Sequence, residues 1–346
     1  MAMSNALFPP GTVIPAHPLA LDRAGTVDWR AQRALSRYYL AAGAHGLAVG
    51  VHTTQFPLHD DRALFADVLR LAVEAVQPRT TTLIAGVTGP VGQAVEEACA
   101  ARDLGYDAVL LSLHGCAADE SEGSLVERAS AVGEILPTVA FYMQESVGGR
   151  YLSSHYWRRI FDLESTVAVK LAPFDRYRTA EAANAVLSSD RWREITVLTG
   201  NDDAIVADLL SEYQLDVAGA QRRLRFAGGL LGQWAVGTAH AVALSGRLAA
   251  AVGQTIQLDP ADRRAATALT DVNSAIFDVL NRFHGSVAGV NEVLRQQGML
   301  ASSRLLPGAG ALSPGQQDLI ARARKRHPVL LDEEFVASHR DEWLGD

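Results

Sequence analysis

The chain has 346 residues, 48% hydrophobic and 20% charged, with a formal net charge of −8 at pH 7. That length suits one large α/β barrel or two ordinary domains, and the balance of apolar and charged residues excludes a disordered chain. The negative charge leaves no electrostatic footprint for nucleic acid.

The opening MAMSNALFPPGTVIPAH carries neither a basic n-region nor an apolar h-region, so no secretory signal is expected. From residue 12 onward, short apolar runs alternate with amphipathic patterns. The strand-like runs are TVIPAHPL (12–19), GLAVGV (46–51), TLIAGV (82–87), AVLLSL (108–113), TVAFYM (138–143), TVAVKL (166–171), ITVLTG (195–200) and RFAGGLL (225–231). VDWRAQRALSRYYLAAG and DRALFADVLRLAVEAV carry helical spacing. In the second, Leu64, Val68, Leu71 and Ala75 share one face. Gly43 and Gly105 are the expected C-terminal caps of the first and third helices. Eight strands, each followed by a helix, predict a parallel (β/α)8 TIM barrel. A doubly wound open sheet is disfavoured, because no G-x-G-x-x-G follows the first strand.

WAVGTAHAVALSGRLAAAVG is interrupted by His240, Ser245 and Arg247, which predicts a packed helix rather than a membrane span. Beyond about residue 255 the strand signals stop and the pattern is helical, broken near Gly285. The organisation expected is a barrel over 1–254 and a C-terminal helical extension over 255–346 packed on it. SPGQQDLIARARKRH and DEEFVASHRDEWLGD are its last two helices, each opening with a capping-type residue. Two cysteines, Cys99 and Cys116, form no disulfide framework and no C-x-x-C pair, which fits a reducing, cytoplasmic compartment.

A barrel's active site lies at the C-terminal ends of its strands. Lys170 sits there inside STVAVKLAPFDRY, a charge within an apolar strand. Alternation sends Ala168, Lys170 and Ala172 to the barrel interior and Val167, Val169 and Leu171 to the helices. Small apolar neighbours disfavour the ammonium form and favour a nucleophilic amine. The alternative is a structural lysine paired with a carboxylate, but the inner halves of the eight strands supply no Asp or Glu. Tyr142, on the adjacent strand, is a candidate proton relay or an ordinary core tyrosine. His17, His52 and His114, at three strand ends, could form a three-histidine metal site or simply hydrogen-bond a substrate.

These segments resemble the dihydrodipicolinate synthase and N-acetylneuraminate lyase family, Schiff-base-forming (β/α)8 lyases. The resemblance rests on GTVIPAHPLALDRAGTVDWRAQRALSRYYLAAGAHGLAVG, FYMQESVGGRYL, VAVKLAP, VLTGNDDAI, FAGGLLG and EVLRQQGMLASSRLLPGAGALSPGQQDLIARA, and so covers nearly the whole chain. It implies that Lys170 forms an iminium with a 2-oxo acid such as pyruvate and that Tyr142 relays protons. His52, Thr53, Arg150, Gly200 and Gly229 are the substrate-binding residues it suggests. The family's G-T-T-G-E loop is replaced by GVHTTQFPL, and SLHGCAADE stands where the synthases carry a second tyrosine. The expectation is a divergent class I aldolase, lyase or dehydratase that needs no cofactor, because the iminium does the electrophilic work. Its expected partners are a 2-oxo acid and an aldehyde, with no nucleic acid and no membrane, and it is expected to assemble as a homotetramer or dimer. A metal-dependent lyase on the three histidines and a non-catalytic carboxylate-binding barrel are the alternatives.

Overall fold

The computed structural model describes residues 7–76, 81–250 and 259–345. Eight parallel strands form the barrel: β1 (Thr12–Pro15), β2 (Gly46–Val49), β3 (Thr82–Val87), β4 (Ala108–Leu111), β5 (Thr138–Met143), β6 (Thr166–Ala172), β7 (Thr196–Thr199) and β9 (Ala220–Leu231). All eight predicted strands are present, and the first, second and fourth are shorter at their C-terminal ends by two residues or more than the apolar runs suggested. The order β1-β9-β7-β6-β5-β4-β3-β2 is an almost closed ring. An Ala16–Ala48 bridge closes it, flanked by His45 N–H to Val13 O (2.9 Å) and His17 N–H to Ala48 O (2.8 Å).

One strand was not predicted. β8 (Glu212–Val217) pairs antiparallel with the first half of β9, joined through Ala218 (φ +53°) and Gly219 (φ +81°). Two positive φ values at the tip are the geometry a tight hairpin requires. The segment is polar and half-exposed, so it lacks the apolar run that marks a barrel strand.

The surrounding helices are α1 (Trp29–Ala41), α2 (Arg62–Ala75), α3 (Val91–Leu104), α4 (Glu122–Gly133), α5 (Ser154–Asp162), α6 (Arg176–Ser188), α7 (Ile205–Leu210) and α8 (Thr238–Ala250). Asp28, Asp61 and Asp175 begin α1, α2 and α6 by accepting N–H groups that the first helical turn leaves unpaired. Gly105 caps α3 at φ +86°, and Gly43 follows α1 at φ +84°. On α2 the buried residues are Phe65, Val68, Leu69, Leu71 and Ala72, so Val68 and Leu71 of the predicted face are buried while Leu64 and Ala75 are half-buried.

The expected 254/255 boundary lies outside the described residues. Beyond it come α9 (Pro260–Ile276), α10 (Ser286–Gln296), α11 (Gln316–Arg326) and α12 (Glu333–Trp343). These helices pack on the barrel, with Trp343 of α12 against Tyr38 of α1 at 5.2 Å. The capping expected within the last two helices is absent: Gly315 precedes α11, and Asp332 makes no side-chain cap to α12. The Asp332 carboxylate caps α8 instead, accepting from Ala239 N–H (2.7 Å), His240 N–H (2.9 Å) and the Tyr38 hydroxyl (2.7 Å). No helix among the described residues is long and apolar enough to cross a membrane, and Cys99 and Cys116 are free thiols.

Candidate active site

Strand alternation separates two apolar layers. Ile14, Ala48, Ile84, Leu110, Val139, Phe141, Ala168 and Leu198 belong to the barrel interior. Ala140, Tyr142, Val169, Leu171 and Val197 belong to the layer under the helices. Lys170 faces the interior, as predicted, and is only 8% exposed.

A bulge between Thr138 and Val139 sets what stands beside it. Before the bulge Thr138 pairs with Thr166, and a constant offset would pair Tyr142 with Lys170. After it Val139 pairs with Ala168, so Phe141 is the residue opposite Lys170 and Tyr142 is opposite Leu171. A one-residue slip turns every later side chain to the other face. The bulge also brings Val167 into the interior layer, contrary to strict alternation.

Tyr142 is therefore not brought to Lys170. It is buried in the outer layer, its ring 5.1 Å from the Trp157 ring of α5. Burial pushes its pKa up to about 12. The phenol predicted as proton relay is a core side chain, and the lysine Nζ lies 4.5 Å from the centroid of the Phe141 ring instead.

Gly200, at the end of β7, gives Lys170 its room. A Cβ there would meet Lys170 Cε at 2.5 Å and Ala172 Cβ at 2.8 Å. The next turn carries the carboxylate that strand positions alone did not reveal. Asp202 lines the same cavity as Lys170 and is 7% exposed. Its Oδ1 accepts Gln233 N–H (3.0 Å), and its backbone carbonyl accepts Asn273 Nδ2–H from α9 (2.6 Å). Asn201 fixes the turn by donating to Asp208 Oδ2 (2.9 Å) and accepting Phe174 N–H (3.0 Å). No hydrogen bond or ion pair reaches Lys170 Nζ among the described residues, which leaves the amine open to the cavity.

Burial acts on both groups. It lowers the Lys170 pKa, with the Asp202 charge opposing, and raises that of Asp202, with the Gln233 N–H and Lys170 opposing. Desolvation penalises each charged form. The ammonium–carboxylate pair therefore lies closer in free energy to the amine–carboxylic acid pair than it would in water. The expectation that no carboxylate accompanies Lys170 is corrected on this point: a loop residue supplies it.

The other predicted residues divide. His52 and Thr53 line the cavity. Burial, and then the Lys170 and His114 charges, lower the His52 pKa to about 4, so this imidazole is neutral near pH 7. Thr54 is spent on the loop itself: its hydroxyl donates to His17 O (2.7 Å) and accepts Val51 N–H (3.1 Å). Arg150 lies outside the cavity and donates to Ala118 O (3.2 Å). Gly229 is also outside, between Val13 and Thr199 in the sheet, and Gly232 lines the cavity in its stead.

The three histidines do not converge. His17 Nε2 lies 2.9 Å from the Ser36 hydroxyl of α1, and its ring packs edge-on against Tyr39, outside the barrel interior. His114 is exposed and stacks on Phe56 at 4.1 Å. Only His52 enters the cavity, and no cluster of three metal-ligating side chains occurs among the described residues. The metal-site alternative fails on the direction of its donors.

The upper wall comes from the C-terminal extension, which sequence patterning marked only as a helical appendage. Phe277, Phe283, Val287 and Val290 line the cavity at the barrel mouth, and Phe283 meets Phe174 of the β6–α6 loop. The cavity leaves about 60 Å³ for the centres of water-sized groups. A single water needs roughly 10–15 Å³ by this measure, so the space suits a small molecule.

No family model and no curated protein matches the chain. Solved structures do match over nearly its full length. Dihydrodipicolinate synthase from Thermotoga maritima superposes with a TM-score of 0.75 at 18% identity, covering 92% of this chain and 98% of that one. A prophage protein of the dihydrodipicolinic acid synthase family from E. coli K12, solved with pyruvate, gives 0.73 at 17% identity, covering 92% and 98%. N-acetylneuraminate lyase from Fusobacterium nucleatum gives 0.71 at 15% identity, covering 91% and 97%. The chain thus has the (β/α)8 fold shared by dihydrodipicolinate synthases and N-acetylneuraminate lyase, as the sequence resemblance implied.

Proposed function

We propose that the protein is a Schiff-base lyase or aldolase in which Lys170 condenses with a 2-oxo acid such as pyruvate. The observation that carries this is a buried, unpaired lysine sharing a small cavity with one anchored carboxylate, Asp202. The fold held in common with pyruvate-binding relatives supports it.

The amine of Lys170 attacks the ketone carbon and gives a carbinolamine. Protonated Asp202 donates to the departing hydroxyl, water leaves, and an iminium forms. Asp202, now a carboxylate, takes a proton from the adjacent carbon to give the enamine, which adds to an aldehyde carbonyl. The reverse sequence breaks the same C–C bond. Asp202 thereby performs the acid–base work first expected of Tyr142. Thr53 and neutral His52 stand at the end of β2, in position to hydrogen-bond the substrate carboxylate. Assembly as a dimer or tetramer and a cytoplasmic setting belong to the same proposal.

Borohydride reduction in the presence of pyruvate, followed by intact-mass measurement, tests it. The expected result is one reduced pyruvyl adduct that is lost in Lys170→Ala. Absence of an adduct with every 2-oxo acid tried would overturn the proposal.

A further inference from the structure

The polar side chains lining the cavity are Lys170, Asp202, His52 and Thr53, with Gln144 from the loop after β5 and Ser286 from the start of α10. Aromatic rings dominate the rest of the lining. Phe174 comes from the β6–α6 loop and Phe277 and Phe283 from the segment between α9 and α10, and Phe174 meets Phe283 edge-to-face at 5.6 Å. Lys170 and Asp202 are the only Lys, Arg, Asp or Glu side chains among the described residues lining the cavity.

The collar is held in place at a cost in backbone conformation. Phe174 has φ +53° and Phe283 φ +66°, a region that a bulky L-residue rarely adopts. The Phe174 N–H is fixed by Asn201. The Phe283 segment is fixed by Asp278, whose carboxylate accepts Gly285 N–H (2.9 Å), the Ser313 hydroxyl (2.5 Å) and Asn281 Nδ2–H (2.7 Å). Backbone strain that the surroundings over-determine is a mark of functional placement.

We propose that the carbonyl partner of the Lys170 enamine is a small apolar aldehyde, seated against the collar of Phe174, Phe277 and Phe283, and not a polyhydroxylated or carboxylated one. This rests on the iminium chemistry above. The enamine carbon attacks the aldehyde carbon, forming the C–C bond, and the aldehyde oxygen takes its proton from Asp202. Water then adds to the iminium, releasing a 4-hydroxy-2-oxo acid and the free amine. A sugar-like acceptor would leave hydroxyls unpaired against the aromatic wall, each costing about tenfold or more in affinity. A second carboxylate would meet no cationic partner there.

The test compares butanal, glyceraldehyde and glyoxylate as acceptors with pyruvate, following product by mass and rate. Borohydride trapping is run in parallel. The expected result is a trapped adduct and a kcat/KM for butanal at least about tenfold above both polar aldehydes. Phe174→Asn/Phe283→Asn should narrow that ratio while the adduct still forms, since Asn tolerates positive φ; its melting curve reports whether the fold is kept. An adduct with equal or better use of glyceraldehyde or glyoxylate, or with no acceptor used, overturns this inference and leaves the iminium standing. No adduct at all overturns both.

Discussion

At Lys170 and Asp202 burial works on two opposite charges at once, and the outcome is a pair that can exchange a proton across a substrate. Asp202→Asn keeps the hydrogen bond to Gln233 N–H but removes both the acid and the charge. Turnover is expected to fall by about 10²–10⁴-fold. The Asp202 charge raises the Lys170 pKa, so its removal lowers it further. The alkaline-going limb of the trapping rate should therefore move to lower pH; a limb that stays in place would show that the two groups do not interact. Tyr142→Phe is expected to leave kcat and KM within about twofold, since the side chain packs in the layer under the helices and does not line the cavity. A large drop in kcat would restore Tyr142 to the mechanism. Lys170 was legible because the two-residue period is a local property of one strand. Tyr142 was misassigned because its direction depends on a bulge in the pairing of two strands, which spacing along the chain does not record.

Among the elements, α9 has the least obvious part. Its Asn273 grips the Asp202 carbonyl across 71 residues of sequence, and the segment after it supplies Phe277 and Phe283. Asn273→Ala removes that donor from a buried carbonyl and should cost about 1–3 kcal/mol of stability. A several-fold loss of kcat should accompany it, with the pyruvate adduct still formed. Melting temperature and trapping measured together check this, and an unchanged kcat would make Asn273 purely structural. The helical character of the extension and its break near Gly285 were readable from periodicity. Its position over the barrel mouth was not, because an amphipathic pattern shows that a face is buried without showing against what.

Over the whole molecule, His17 and His52 tie stability to pH. Burial lowers the pKa of both His17 and His52 to about 4. A depressed folded-state value contributes stability that is full above the unfolded value near 6.5 and is lost as pH falls toward 4. For His17 the shift corresponds to roughly 3 kcal/mol. Calorimetry should show the melting temperature falling between about pH 6.5 and 4, with a shallower fall in His17→Gln; an unchanged slope would mean that His17 does not titrate there. The sequence by itself determined the eightfold order of strands and helices, the inward lysine, and the glycines that stop α1 and α3, because each follows from a short-range period or a single residue's φ preference. Tertiary structure decided that Phe141 and not Tyr142 flanks Lys170, that His17 leaves the site, that Asp202 enters it, and that the C-terminal helices roof it with aromatic rings. Those outcomes depend on register between strands and on contacts between segments far apart in the chain, and no local pattern contains either.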